Sequence, residues 1–109
     1  ESLKDCNGKD EIRELIFDFL QVDNEYTQRL ALQSLAYIYP DKAEEYAIDF
    51  WWRDKYKDDA YASEYQKIVV LHVLHIIHSA ELEKYLDLAD KSEYRYLKEN
   101  AEEIRKIME

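Results

Sequence analysis

The sequence predicts an all-α protein: an α-solenoid, a stack of antiparallel helix pairs with about six helices. Three observations predict it. Gly8 and Pro40 are the only glycine and proline in 109 residues, so the residues that build hairpins and tight turns are nearly absent. Apolar residues recur at steps of three and four through every long segment, the period of a helix with one buried face. The pattern also repeats along the chain at a fixed offset.

Residues 1–9 read as a loose leader ending at Asn7-Gly8, and residues 10–108 as a single helical-repeat domain. The first helix is expected from Asp10 to Val22, with Ile12, Leu15, Ile16, Phe19 and Leu20 on its buried face and Phe17 away from it. Asp23-Asn24 closes it and can cap a second helix, from Glu25 to Tyr39, where Leu32, Leu35, Ala36 and Tyr39 recur at spacings of three and four. Pro40 stops that helix. Asp41 with Glu44 forms a capping-box pattern for a third, running to Lys57 and burying Ala43, Ala47, Phe50 and Trp51. The polar segment 54–62 is the longest break.

Ser63 and Gln66 repeat the capping pattern for a fourth helix to His78. Its run Ile68 to Ile77 is apolar nearly all round. It is too long for most strands and has nothing to pair with, so it reads as the central, most enclosed helix. Ser79 can cap a fifth helix ending near Ala89. Asp90 and Glu93 open a sixth, which closes at Met108. Its charged residues (Lys98, Glu99, Glu102, Glu103, Arg105, Lys106) suit a terminal cap that faces water.

The second and third helices superpose on the fourth and fifth at an offset of 38 residues. Arg29 falls on Lys67, Leu30 on Ile68, Leu32 on Val70, Leu35 on Val73, Ile38 on Ile76, Glu45 on Glu83 and Asp49 on Asp87. A further shift of 28 brings Arg95, Leu97, Ala101 and Ile104 onto the first-helix pattern. The stretch 23–38, an acid at the turn, a basic residue one turn in, then small and large apolar residues, with Pro40-Asp41 opening the next helix, resembles a HEAT repeat. The second copy departs from it, with Val and Leu for small residues and His78-Ser79 for the Pro-Asp turn. Armadillo-type or simple bundle relatives stay open. The resemblance implies a curved superhelix of about two and a half repeats plus an N-terminal helix, used for protein–protein contact, with the second helices lining its concave side.

Acids outnumber bases by 25 to 15, a net charge of −10 spread along the chain. With no basic stripe, this field opposes nucleic acid and favours a basic protein or peptide as partner. No run is long enough for a membrane span. The lone Cys6 supports neither a disulfide nor a zinc site. The start is wrong for a signal peptide, so a cytoplasmic protein, monomeric or weakly dimeric, is expected.

Three sets of residues could carry function. Glu14/Asp18, Glu45/Asp49 and Glu83/Asp87 are carboxylate pairs four apart, each on one face of the first, third and fifth helices. Such like-charge pairs cost an isolated helix about 0.2–0.5 kcal/mol each, so an acidic groove for a basic partner would account for them. So would chance, with 25 acids on amphipathic helices. Trp52 and Tyr56 form the second set. Adjacent Trp51 and Trp52 stand about 100° apart on a helix, so one is core and the other edge or surface, where tryptophan can anchor an interface.

The third set is His72, His75 and His78. His72 and His75 could share a metal, but lack the i, i+4 spacing that chelates best. Packed or hydrogen-bonded histidines are the plainer reading, and no metal site or cofactor is expected. No phosphate loop or nucleophile elbow is present, and no base accompanies Cys6. The expectation is a non-enzymatic interaction module with an acidic groove. Its sharper alternative is an immunity-type inhibitor of a basic toxin or effector; the rival from another class is a metal-binding helical protein.

Overall fold

The computed structural model describes residues 14–22, 24–54 and 56–108, and among these the regular structure is all helical. Residues 14–21 form α1. It is followed by α2 (Glu25–Ile38), α3 (Pro40–Arg53), α4 (Ala60–Ile76), α5 (Leu82–Asp90) and α6 (Arg95–Met108). The expected leader, Ile12 and the start of the first helix lie outside the described residues.

Packing follows chain order. α2 lies against α3 and α4, α3 against α4, and α6 against α4 and α5. α4 touches α2, α3, α5 and α6, which makes it the central helix that its apolar run predicts. Val70, Leu71, Val73 and Leu74 are fully enclosed. At about 1.5–3 kcal/mol for each large side chain taken from water, this run is a main source of cohesion. Enclosure on four sides also overrides the β preference of its branched residues.

The repeat is visible as direct contact between equivalent positions. Gln66 Nε2 donates to Gln28 Oε1 at 3.4 Å, both side chains being buried; the two residues are 38 apart. His72 Nε2 lies 2.8 Å from Asn100 Oδ1, across the 28-residue shift. Equivalent apolar positions share their burial: Ala31, Val69 and Leu97 form one set, Leu35, Val73 and Ala101 another. The architecture is a helical-repeat-like stack with sequential helix–helix packing.

Several local expectations fail for identifiable reasons. α1 buries Ile16 and Leu20, whereas Leu15 and Phe19 are 53% and 46% exposed. Phe17 instead turns inward, its ring 5.8 Å from that of Tyr46 on α3, because α1 meets a neighbour on that side. Asn24 caps α2 as expected, its side chain accepting from the Thr27 N–H at 2.9 Å. The Asp41/Glu44 box does not form. Pro40 occupies the first turn of α3 and Tyr39 the cap position, and Glu44 accepts a hydrogen bond from Ser79 Oγ at 2.6 Å.

α3 stops at Arg53 rather than Lys57, with Asp54 in the left-handed region (φ 45°) that Asp tolerates better than most residues. α4 starts three residues before Ser63, capped by Asp59, which accepts from Ala62 N–H at 3.2 Å. Ser63 is therefore inside the helix and buried, donating to Asp54 Oδ1 at 2.7 Å. α4 ends before His78, which holds φ 55° while Ser79 N–H reaches back to Leu74 O at 2.9 Å. That is a helix stop with histidine in the slot glycine usually fills.

Candidate functional site

The outward face of α3 follows from its periodicity. Ala43, Ala47, Phe50 and Trp51 are buried, which leaves Lys42, Glu45, Asp49, Trp52 and Arg53 on the opposite side. Side chains join this helix to its neighbours on both flanks. Phe17 meets Tyr46 from α1, and from α5 Tyr85 meets both tryptophans. Phe17, Lys42, Glu45, Tyr46, Asp49 and Arg53 line a hollow of about 490 Å³ between α1 and α3.

The two tryptophans divide as their spacing requires. Trp51 is 6% exposed and Trp52 is 58% exposed. Trp52 is nevertheless held: its Nε1–H donates to Tyr85 Oη at 2.8 Å, and the two rings meet edge-on at 6.2 Å. Lys84 Nζ stands 5.9 Å from the Trp52 ring. Tyr85, almost fully buried, satisfies its hydroxyl through this bond and fixes the indole plane. The sequence gives no sign of this role, because Trp52 and Tyr85 are 33 residues apart and meet only through their long side chains in the tertiary fold. Tyr56, expected one turn beyond Trp52, lies instead in the turn after α3 and is half-buried.

The carboxylate pairs have different surroundings. Glu45 lies 3.2 Å from Lys42 Nζ, and Asp49 pairs with Arg53, all on α3. The neighbouring Glu45 raises the Lys42 ammonium above its ordinary pKa. Glu83 and Asp87 both bind Arg105 of α6, at 3.1 and 2.7 Å, with Asp90 joining at 3.2 Å. Glu14 and Asp18 are exposed on α1. Thus the α3 and α5 pairs meet the chain's own cations, and among the described residues no continuous uncovered ladder of acids links them.

The histidines diverge. His72 reaches Asn100, while His75 and His78 border a hollow with Ser79, Leu82 and Met108. Among the described residues no three His, Cys, Asp or Glu side chains gather at a spacing that could hold a metal ion. Among the same residues no helix is long and apolar enough to cross a membrane.

A second hollow, about 540 Å³, runs between α1 and α2 and is lined by Leu15, Ile16, Phe19, Tyr26, Thr27, Leu30, Ala31, Ser34 and Ile38. The charge pattern gives no hint of it, since among the described residues no charged side chain lines it. No family model, curated protein or solved structure matches the chain.

Proposed function

We propose that this chain is a non-catalytic binding module that takes a basic segment of a partner protein across α1, α3 and α5. Trp52 is the anchor in this reading. Glu14, Asp18, Glu45 and Asp49 supply the field, Tyr56 borders the site, and Glu83 and Asp87 take part by exchanging Arg105 for a partner cation. The observation that carries the reading is the state of Trp52: more than half exposed, yet fixed by the Tyr85 hydroxyl. A large aromatic surface already immobilised loses little entropy on binding, which is the property of an interface hot spot. The net charge of −10 supports a basic partner, whose approach it would accelerate. The HEAT-type resemblance belongs to the same reading, since it assigns α3 and α5 to the lining of the concave side.

The test is titration with a fluorescent Lys/Arg-rich peptide at several salt concentrations. Trp52→Ala is expected to weaken binding by roughly tenfold or more. Glu45→Lys with Asp49→Lys is expected to slow association and flatten the salt dependence. Unchanged affinity in both variants would exclude this face.

A further inference from the structure

We infer that the hollow where α4 ends beside Met108 of α6 is a binding site for a soft metal ion, copper(I), held by His75, His78 and Met108. It shares no residue with the face proposed above and does not depend on that reading. The packing brings the three donors together. Glu64 of α4 meets Tyr96 and Leu97 of α6, and eight residues on His72 meets Asn100 at 2.8 Å. Both contacts advance in the same chain direction, so the two helices run side by side towards one end. From His72 to His78 and from Asn100 to Met108 the chain continues for about 9 and 12 Å at 1.5 Å per residue. There His75, His78 and Met108 line one hollow of about 390 Å³ with Ser79 and Leu82.

Both imidazoles are available there. His72 spends its Nε2 on Asn100, whereas among the described residues neither His75 nor His78 has a hydrogen-bond or ion-pair partner for its ring. The N–H of His78 donates to His75 O at 3.1 Å, a turn that sets the two residues side by side. This pair can share a metal, and the pair His72 and His75 considered from spacing cannot, because His72 is turned to α6. The backbone at His78 points the same way. Its φ of 55° is one that glycine adopts at no steric cost, yet a histidine stands there with its exposed ring lining the hollow. His75 lies in the last turn of α4, where the helix dipole favours a cation.

The donor set names the ion. Zinc takes cysteine, histidine and carboxylate, four of them in a structural site, and among the described residues no cysteine or acid lines this hollow. A thioether is a soft ligand that selects Cu(I), and imidazole suits copper too. Met108 is the only methionine of the chain. It is half exposed, and its three rotatable bonds let the sulfur swing across the hollow without backbone movement. Ser79 is no fourth donor, since its hydroxyl donates to Glu44 and accepts from the Glu81 N–H. Two neutral imidazoles and a thioether bind Cu(I) through lone pairs, with no proton released and no electron transferred. Leu82, buried, walls the site on the side of α5.

The test is anaerobic titration of the full chain with Cu(I) in competition with bicinchoninate. Cys6 is replaced in every sample (Cys6→Ser), because a thiol is itself a soft ligand. One equivalent of Cu(I) should be taken up. Met108→Leu and His78→Gly should each weaken it roughly tenfold or more, since even outer-shell partners of a metal site matter on that scale. Neither should lower Tm: leucine conserves the volume of methionine, and glycine suits the backbone at position 78. In a ¹³C spectrum Ag(I), a redox-inert stand-in, should shift the single methionine methyl resonance together with the ring signals of His75 and His78. Excess Zn(II) should not reverse the shift. The proposal is overturned if both variants bind Cu(I) as the parent does, if the methyl stays in place while metal binds, or if no Cu(I) is retained against bicinchoninate. Reversal of the shift by Zn(II), or a fall in Tm in step with the loss of metal, would overturn it as well.

Discussion

The same strip of helix has opposite fates on α2 and α4. On α4 it is polar at two of three positions, and those polar groups are spent on α6: Glu64 on the N–H groups that open that helix, His72 on Asn100. On α2 the corresponding Tyr26, Leu30 and Ser34 face a groove. Repetition of a helix pair therefore does not repeat the surface. The α4–α6 joint is specified by two directional contacts, and at the equivalent positions α2 has Tyr26, Leu30 and Ser34 in place of the two polar anchors.

The largest effect that should separate the two ends comes from truncating one leucine at each. Leu97 of α6 is fully buried, and Leu97→Ala is expected to cost about 2–5 kcal/mol through lost burial and the cavity it leaves. Leu30→Ala, at the half-exposed groove, should stay within about 0.5 kcal/mol. Chemical denaturation of both variants beside the wild type measures the difference. Equal losses would mean that the α1–α2 groove is as enclosed as the α4–α6 contact.

A smaller effect tests what holds α6 in place. Glu64→Ala leaves the N–H groups of Tyr96 and Leu97 without their acceptor, at a cost of about 1–3 kcal/mol. Glu64→Gln keeps an acceptor oxygen and should recover most of it. Hydrogen exchange at Tyr96 and Leu97 should accelerate far more in the alanine variant than in the glutamine one. Equal exchange in the two would show that the carboxylate is not the cap.

Much of the helical framework was legible from periodicity. The four buried residues of α3, the enclosure of α4 and the unequal burial of Trp51 and Trp52 all follow from which positions share a helical face. The failures have one physical cause, namely that a polar side chain has several partners open to it and tertiary packing selects among them. Glu44 and Ser63 have local capping patterns, yet one binds Ser79 on the next helix pair and the other the left-handed Asp54. Arg105 reads as one charge among many on a water-facing cap, and it gathers three carboxylates. The paired acids were readable as a pattern, but their cations were not. On the first helix the expected faces exchange: Phe17 turns to Tyr46, and Leu15 and Phe19, expected to be buried, stand exposed.

The smallest expected effect is one of sign, and it again sets α2 against the joint that leads to α4. Burial pushes the Asp54 carboxyl up, but hydrogen bonds from Lys67 at 2.8 Å and from Ser63, with the charges of Lys67 and Lys57, outweigh it and hold the group below its ordinary value. A carboxyl depressed in the folded state adds stability that is present above its unfolded pKa, near about 3.9, and is lost as the pH falls through the folded one. Glu25, at the start of α2, is shifted the other way. Burial raises it, and the nearby Asp59 adds to this, against the opposing pull of Arg29. Its contribution is present below its unfolded pKa, near about 4.3, and is lost as the pH rises through the folded one. Acid titration of stability should therefore show Asp54→Asn closing its gap to the wild type as the pH falls below about 4, while Glu25→Gln gains on the wild type as the pH rises above about 4. Both groups are partly solvated, so the slopes should be shallow and flatten further in salt. Slopes of the same sign would mean that the two ends do not differ in how they hold charge.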